Sequence, residues 1–116
     1  IDPANPGHLT ISTQAYDKRV AGIISGAGGR RPGVKISQAA DGRVDLPLAL
    51  AGRVYCYVDA TENAVEIGDL LTTSDTPGYA MKAADREQAF GAVLGKAMEP
   101  LPRGEKGLIL VLVALQ

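Results

Sequence analysis

The segment GLILVLVALQ, Gly107 to Gln116, is apolar at every position from Leu108 to Leu115. Successive side chains of a β-strand point to opposite faces, so a strand with one face in water alternates apolar and polar residues. This segment is apolar on both faces, and we therefore expect a strand that is covered on both sides. The cover is either the centre of the fold or a second subunit. The subunit is favoured because 116 residues leave little room around an enclosed terminal strand. The side chains predicted to face that subunit are Ile109, Val111, Val113 and Leu115.

Composition and charge narrow the class of partner. Hydrophobic residues make up 46% of the chain, with no Trp and a single Phe, so the aromatic platforms on which bases stack are scarce. The formal net charge is −1 with acids and bases interspersed, unlike the basic surface of a nucleic-acid-binding protein. The terminal apolar run is far shorter than the roughly 20 residues of a membrane-spanning helix. We therefore predict that neither nucleic acid nor membrane is a partner.

The chain has one Cys and one His. Cys56 has no partner for an intrachain disulfide, and its place on an apolar strand face predicts an inert core residue. His8 lies in a leader rich in Pro and Gly, and the carboxylates show no spacing typical of a zinc or calcium site. We predict no metal, no cofactor and no catalytic residue.

Short β-branched and aliphatic runs separated by Gly, Pro, Asp and Asn dominate the chain. They predict an all-β fold, a compact barrel- or sandwich-like domain of seven or eight short strands. The best helix signal is ADREQA at 84–89, one or two turns at most, with Asp85 as its N-cap. We expect one β domain at 16–116 behind an extended leader at 1–15. The predicted strands are Leu9–Thr13, Arg19–Ser25, Gly33–Ser37, Leu46–Ala60, Ala64–Ser74, Tyr79–Ala83, Phe90–Pro100 and Gly107–Leu115.

The stretch VEIGDLLTTSDTPGYAMKA at 65–83 is rich in Gly, Asp, Thr and Ser, which build both reactive loops and turns. Pro77 followed by Gly78 is the type II turn preference, with Gly78 at positive φ. The carboxylates of Asp69 and Asp75 each predict an Asx turn that accepts the backbone N–H two residues on. A catalytic hydroxyl needs a general base, and the spacing of residues places none near these hydroxyls. We therefore interpret the stretch as structural turns. The turn residues singled out are Gly68, Asp69, Pro77 and Gly78.

Glycines and two basic residues, Arg30 and Arg31, stand together in SGAGGRRPG at 25–33. This composition suits contact with an anion or an acidic glycan. Recognised phosphate loops, however, run from a strand into a helix N-terminus, whereas this one leads to Pro32 and another short strand. A solvated hairpin tip is therefore favoured, and anion binding is the alternative.

In RVYCYVD at 53–59, strand alternation places Arg53, Tyr55 and Tyr57 on one face and Cys56 on the other. Tyr and Arg are enriched at protein interfaces, and Tyr also stacks on sugars. Contact with a subunit or partner is the favoured interpretation of this face. A half-exposed sheet face and a ligand contact through the same three residues are the alternatives.

Taken as a set, five segments resemble a known family. They are YDKRVAGIISG, LPLALAGRVYCYVDA, VEIGDLLTTSDTPGYAMKA, FGAVLGKAMEPL and GLILVLVALQ. Together they lie within 16–116 and resemble the C-terminal intramolecular-chaperone and autocleavage domain of phage and bacterial tail-fibre or appendage proteins. The resemblance implies a β-rich terminal domain that forms a trimer and helps a fibrous polypeptide to assemble. It leaves the compartment open between virion, extracellular space and cytoplasm.

In the phage members of that family, a serine-type self-cleavage releases the chaperone. No residue of this chain matches the cleavage signature, so no catalytic residue is assigned and self-cleavage is only an alternative. The residues and the resemblance together predict a non-catalytic assembly module that forms a homo-oligomer, with a trimer favoured over a dimer. A glycan- or anion-binding module is the other alternative.

Overall fold

The computed structural model describes residues 1–24 and 48–116. Strands dominate these residues, and the predicted all-β, barrel-like fold with one short helix is confirmed. Five strands form a closed barrel, and two short strands form a separate sheet. The elements are β1 (Ile23–Ile24), β2 (Leu48–Ala49), β3 (Gly52–Asp59), β4 (Leu70–Thr73), β5 (Ala80–Lys82), α1 (Arg86–Ala89), β6 (Val93–Ala97) and β7 (Lys106–Val113).

Strand β7 closes the barrel, whose strand order is β3-β5-β4-β6-β7. It pairs antiparallel with β3 from Gly52↔Val113 to Asp59↔Lys106, and with β6 from Gly95↔Val113 to Ala97↔Val111. One edge of β7 is therefore paired along its whole length, and the other edge is paired at Val111–Val113. The interior is filled mainly by aliphatic side chains, among them Cys56, Val58, Leu71, Ala80, Ile109, Val111 and Val113.

Several predicted strands are shorter than expected, and one is not a strand. Leu9–Thr13 forms no ladder; the Ser12 carbonyl instead accepts a hydrogen bond from Gly78 N at 2.9 Å. The predicted strand Leu46–Ala60 is interrupted between β2 and β3, where Gly52 adopts a φ of 85°. The predicted strand Gly33–Ser37 lies outside the described residues.

The helix prediction is confirmed at its N-terminus. Asp85 is the N-cap of α1, and its side chain accepts hydrogen bonds from the backbone N–H groups of Glu87 at 3.0 Å and Gln88 at 3.2 Å. These bonds satisfy two donors that the first turn of a helix otherwise leaves without partners. The helix ends after a single turn at Ala89.

The 65–83 stretch forms turns, as predicted. Gly78 has a φ of 76°, and Tyr79 N donates to the Thr76 carbonyl at 3.0 Å, so Pro77 and Gly78 are the central residues of the turn. Gly68, at a φ of 94°, has the corresponding place in the preceding turn, which Asp69 N closes on the Glu66 carbonyl at 3.0 Å.

The predicted Asx turns of the two aspartates are wrong. Asp69 Oδ2 accepts a hydrogen bond from Glu66 N, three residues earlier, at 2.8 Å. This bond links the last residue of the turn to the first. Asp75 Oδ1 accepts from Ala15 N at 2.9 Å, across 60 positions of sequence. The turn therefore holds the leader against the barrel, a tertiary contact that local spacing does not encode.

Replacing Gly78 with valine is expected to lower the free energy of unfolding by more than about 1 kcal/mol, because a β-branched residue is strained at positive φ. Gly78→Asn is the matched control, since Asn tolerates this conformation better. Urea unfolding followed by circular dichroism measures both variants. Equal stability of the valine variant and the parent chain would show that the turn relaxes to another type.

Candidate interaction surface

Five side chains of β3 and β7 point away from the barrel core and form one apolar surface, the Tyr–Leu face. Its members are Tyr55, Tyr57, Leu108, Leu110 and Leu112. Cross-strand register places Leu110 opposite Tyr55 and Leu108 opposite Tyr57. Tyr55 is 53% exposed, and Leu108 and Leu112 are each 41% exposed. The described residues of a single chain therefore leave this face uncovered, although it consists of large apolar side chains.

The predicted interface residues lie mostly on the opposite face of the same strand. Ile109, Val111 and Val113 are 3%, 0% and 4% exposed in the single chain, because they fill the barrel core. A side chain buried in its own protomer has no surface left for a neighbour, so the interface prediction is wrong for these three. Leu115, at 40% exposure, lies beyond the end of β7 and is accessible.

Sequence reasoning missed the leucines because both faces of the strand are apolar. Only the pairing with β3 identifies the outer side, where Arg53 and Tyr55 stand opposite Leu112 and Leu110. The predicted alternation of β3 is confirmed: Arg53 and Tyr55 are exposed, whereas Cys56 and Val58 are buried. The alternation of β3 could have identified the outer face of β7 from the sequence. That step needed the knowledge that β3 and β7 are paired.

The two tyrosines of the face differ in exposure and in how closely neighbouring side chains hold them. The Tyr57 ring packs against the Tyr79 ring, with centroids 5.2 Å apart and planes inclined by 37°. Tyr57 is half-buried and fixed by this contact, while Tyr55 is more than half exposed. Tyr55 is therefore the aromatic side chain that this face offers to another molecule.

Cations rim one end of the face. Arg53 on β3 and Lys96 on β6 both stand in register with Leu112, one on each side, and both are exposed. Residues opposite one another in neighbouring strands are close enough to interact, so Leu112 lies between two positive charges. Among the described residues, neither cation forms an ion pair.

Cys56 lies on the inner side of β3 and is only 6% exposed. Burial raises the pKa of its thiol to about 12, so the reactive thiolate is scarce at neutral pH. We expect no reaction with a chromogenic disulfide reagent in the native state at pH 8 and complete reaction of one thiol after denaturation. Rapid native labelling would show that the barrel opens at β3.

The hydroxyls of the LLTTSDT run are committed to hydrogen bonds. Thr72 Oγ1 donates to the Ala92 carbonyl at 2.7 Å, Thr73 Oγ1 to the Gln14 carbonyl at 2.7 Å, and Ser74 Oγ to the Tyr79 carbonyl at 2.8 Å. The three side chains are buried, and each links two segments of the chain by a hydrogen bond. The hydrogen bonds of these hydroxyls support a structural role for residues 70–76 in turns and tertiary contacts.

Nearby lies a polar cleft of about 440 Å³ that includes Asp59 and Glu62 in its lining. Asp59 accepts hydrogen bonds from Thr61 Oγ1 and Thr76 Oγ1, each at 2.6 Å. Burial acts to raise the pKa of Asp59, but the two threonine hydroxyls, the Thr61 backbone N–H and the charge of Lys106 together hold the pKa below its ordinary value. The Asp59 carboxylate is thus charged at neutral pH and fixed in place.

No group of three or more His, Cys, Asp or Glu side chains suited to a metal ion occurs within 1–24 and 48–116. No helix in that part of the chain is long and apolar enough to cross a membrane. The predicted anion-binding residues Arg30 and Arg31 lie outside the described residues. Comparisons with protein-family models, curated proteins and solved structures find no match.

Proposed function

We propose that this chain is a non-catalytic assembly module that forms a homo-oligomer through the Tyr–Leu face. The observation that carries the proposal is the exposed outer side of β7, where leucines remain in water while valines and an isoleucine fill the core. Contiguous apolar surface that is rimmed by charge marks sites of protein contact. Tyr55 and Arg53 add two of the residue types in which the energetically dominant positions of such sites are enriched.

The closed barrel restricts how a second copy can add to this face. Because β7 pairs with β3 along its whole length and with β6 at Val111–Val113, no strand of a second copy can pair beside its C-terminal part, where Leu112 lies. Association therefore rests on side-chain packing over the sheet. The resemblance to phage and bacterial appendage domains favours a trimer, in which this module ends a fibrous polypeptide and promotes its assembly.

Replacing Leu112 with aspartate tests the proposal. Leu112 is 41% exposed, so the folded protomer tolerates a charge there, whereas a dry interface does not. The matched control is Leu50→Asp, because Leu50 is 63% exposed and lies in a bend outside β3 and β7. Light scattering coupled to gel filtration should give a monomer of 12.0 kDa for the Leu112 variant and a multiple of that mass for the parent chain and the control.

Circular dichroism separates dissociation from unfolding in the same samples. The expected result is a folded Leu112→Asp monomer with the β spectrum of the parent chain. A parent chain that is itself monomeric at micromolar concentration contradicts the proposal. So does a Leu112→Asp variant that keeps the parent's oligomeric mass.

A further inference from the structure

A second surface has the charge opposite to that of the Tyr–Leu face. The acidic loop, residues 61–69, carries three carboxylates and no Lys or Arg. Asp69 is paired with Lys82 at 3.4 Å, but Glu62 and Glu66 are exposed and form no ion pair with any described residue. The loop thus presents two carboxylates to its surroundings.

An apolar side chain stands at the tip of this loop. Ile67 is 70% exposed, the highest fraction among the large aliphatic side chains of the described residues. Its turn is closed by Asp69 N on the Glu66 carbonyl at 3.0 Å and by Glu66 N on Asp69 Oδ2 at 2.8 Å. Gly68 N then fastens the turn to the Ala97 carbonyl at 2.8 Å.

This arrangement holds an isoleucine out in water on a rigid support. A fixed turn loses little conformational entropy when its tip becomes buried, so it is pre-organised for binding. The turn presents the isoleucine directly after Glu66 in the chain, and both side chains are exposed. Its complement is an apolar surface with cations at the rim, which is the composition of the Tyr–Leu face.

We propose that the acidic loop of one copy packs on the Tyr–Leu face of the next copy, an inference that rests on the proposed homo-oligomer. Ile67 lies among Leu108, Leu110 and Leu112, and Glu62 and Glu66 lie near Arg53 and Lys96. The charge complementarity favours a second copy as the occupant of the face, because the chain supplies both halves of the contact. The loop and the face are formed by different segments of the chain, so the proposed contact joins unlike patches of two copies, and its repetition around an axis closes a ring, as in a trimer.

Charge reversal with rescue tests this contact. One variant carries Arg53→Glu and Lys96→Glu, a second carries Glu62→Lys and Glu66→Lys, and a third combines all four changes. Each double variant places like charges in contact and is expected to weaken association by about tenfold or more. The combined variant restores opposite charges and is expected to regain most of the parent affinity. Sedimentation velocity over a concentration series measures each dissociation constant.

A matched control makes the same change of charge at two positions outside the acidic loop. Glu87→Lys with Glu105→Lys reverses two exposed carboxylates outside the acidic loop and is expected to leave association within about threefold of the parent value. Parent-like association of the acidic-loop variant overturns the loop contact while the proposed homo-oligomer stands. Failure of the combined variant to recover also overturns the contact. A monomeric parent chain overturns both proposals together.

Discussion

Replacing Val111 with aspartate is expected to remove a large part of the folding stability of the chain. Val111 is 0% exposed and lies in the barrel core on β7, paired with Val54 on β3 and Ala97 on β6. The substitution removes apolar contacts and places a carboxyl group where no water reaches it. A buried charge without a partner either remains ionised at high cost or takes up a proton, and both outcomes favour the unfolded state.

The expected loss is about 4 kcal/mol or more, a large part of the stability of an ordinary domain. Chemical denaturation followed by circular dichroism measures it, or shows that no folded state remains. Leu112→Asp is the internal comparison, because it adds the same charge one residue along the same strand but on the outer face. A Val111→Asp variant as stable as Leu112→Asp would mean that the two faces of β7 are assigned the wrong way round.

The second large effect is expected from Gly95→Ala. Gly95 lies on β6 opposite Val113, where β6 and β7 approach closely. A Cβ at this position would overlap the carbonyl oxygen of Leu112 and lie 3.1 Å from the Cα of Val113. These are backbone atoms of a paired strand, so relief requires the two strands to separate at the seam that closes the barrel.

We expect Gly95→Ala to cost about 3 kcal/mol, at the upper end of the range for overpacked sites. Gly107→Ala is the matched control, a strand glycine whose added Cβ would meet only the Leu101 Cδ1 atom at 3.3 Å. That methyl group belongs to a side chain that can move, and the control should lose less than about 1 kcal/mol. Thermal unfolding of the two variants side by side gives the difference. Similar losses would contradict the close approach of β6 and β7 at Gly95.

Features that depend on a few neighbouring residues could be predicted from the sequence. Pro77-Gly78 specifies its turn because only the second position needs positive φ, and glycine supplies it. Asp85 caps α1 because its carboxylate reaches the N–H groups of the next residues. The alternation of Arg53, Tyr55 and Cys56 likewise orients β3 without reference to the rest of the chain.

Features that depend on long-range pairing could not be predicted in the same way. The sequence of β7 is apolar on both sides, so its inner face is decided by its register with β3 and β6 and not by its composition. For this reason the sequence predicts an interface position for Val111, whereas the structure places it in the core. The partner of Asp75 is Ala15, 60 positions away, and the spacing of polar residues does not encode such a contact.

The proposed assembly requires that another copy of the chain covers the outer side of β7. Sedimentation equilibrium of the unmodified protein across a micromolar concentration range tests it most directly. We expect a mass that is a whole multiple of 12.0 kDa and falls toward the monomer value on dilution. A mass of 12.0 kDa at every concentration would contradict the claim and leave the Tyr–Leu face without its proposed occupant.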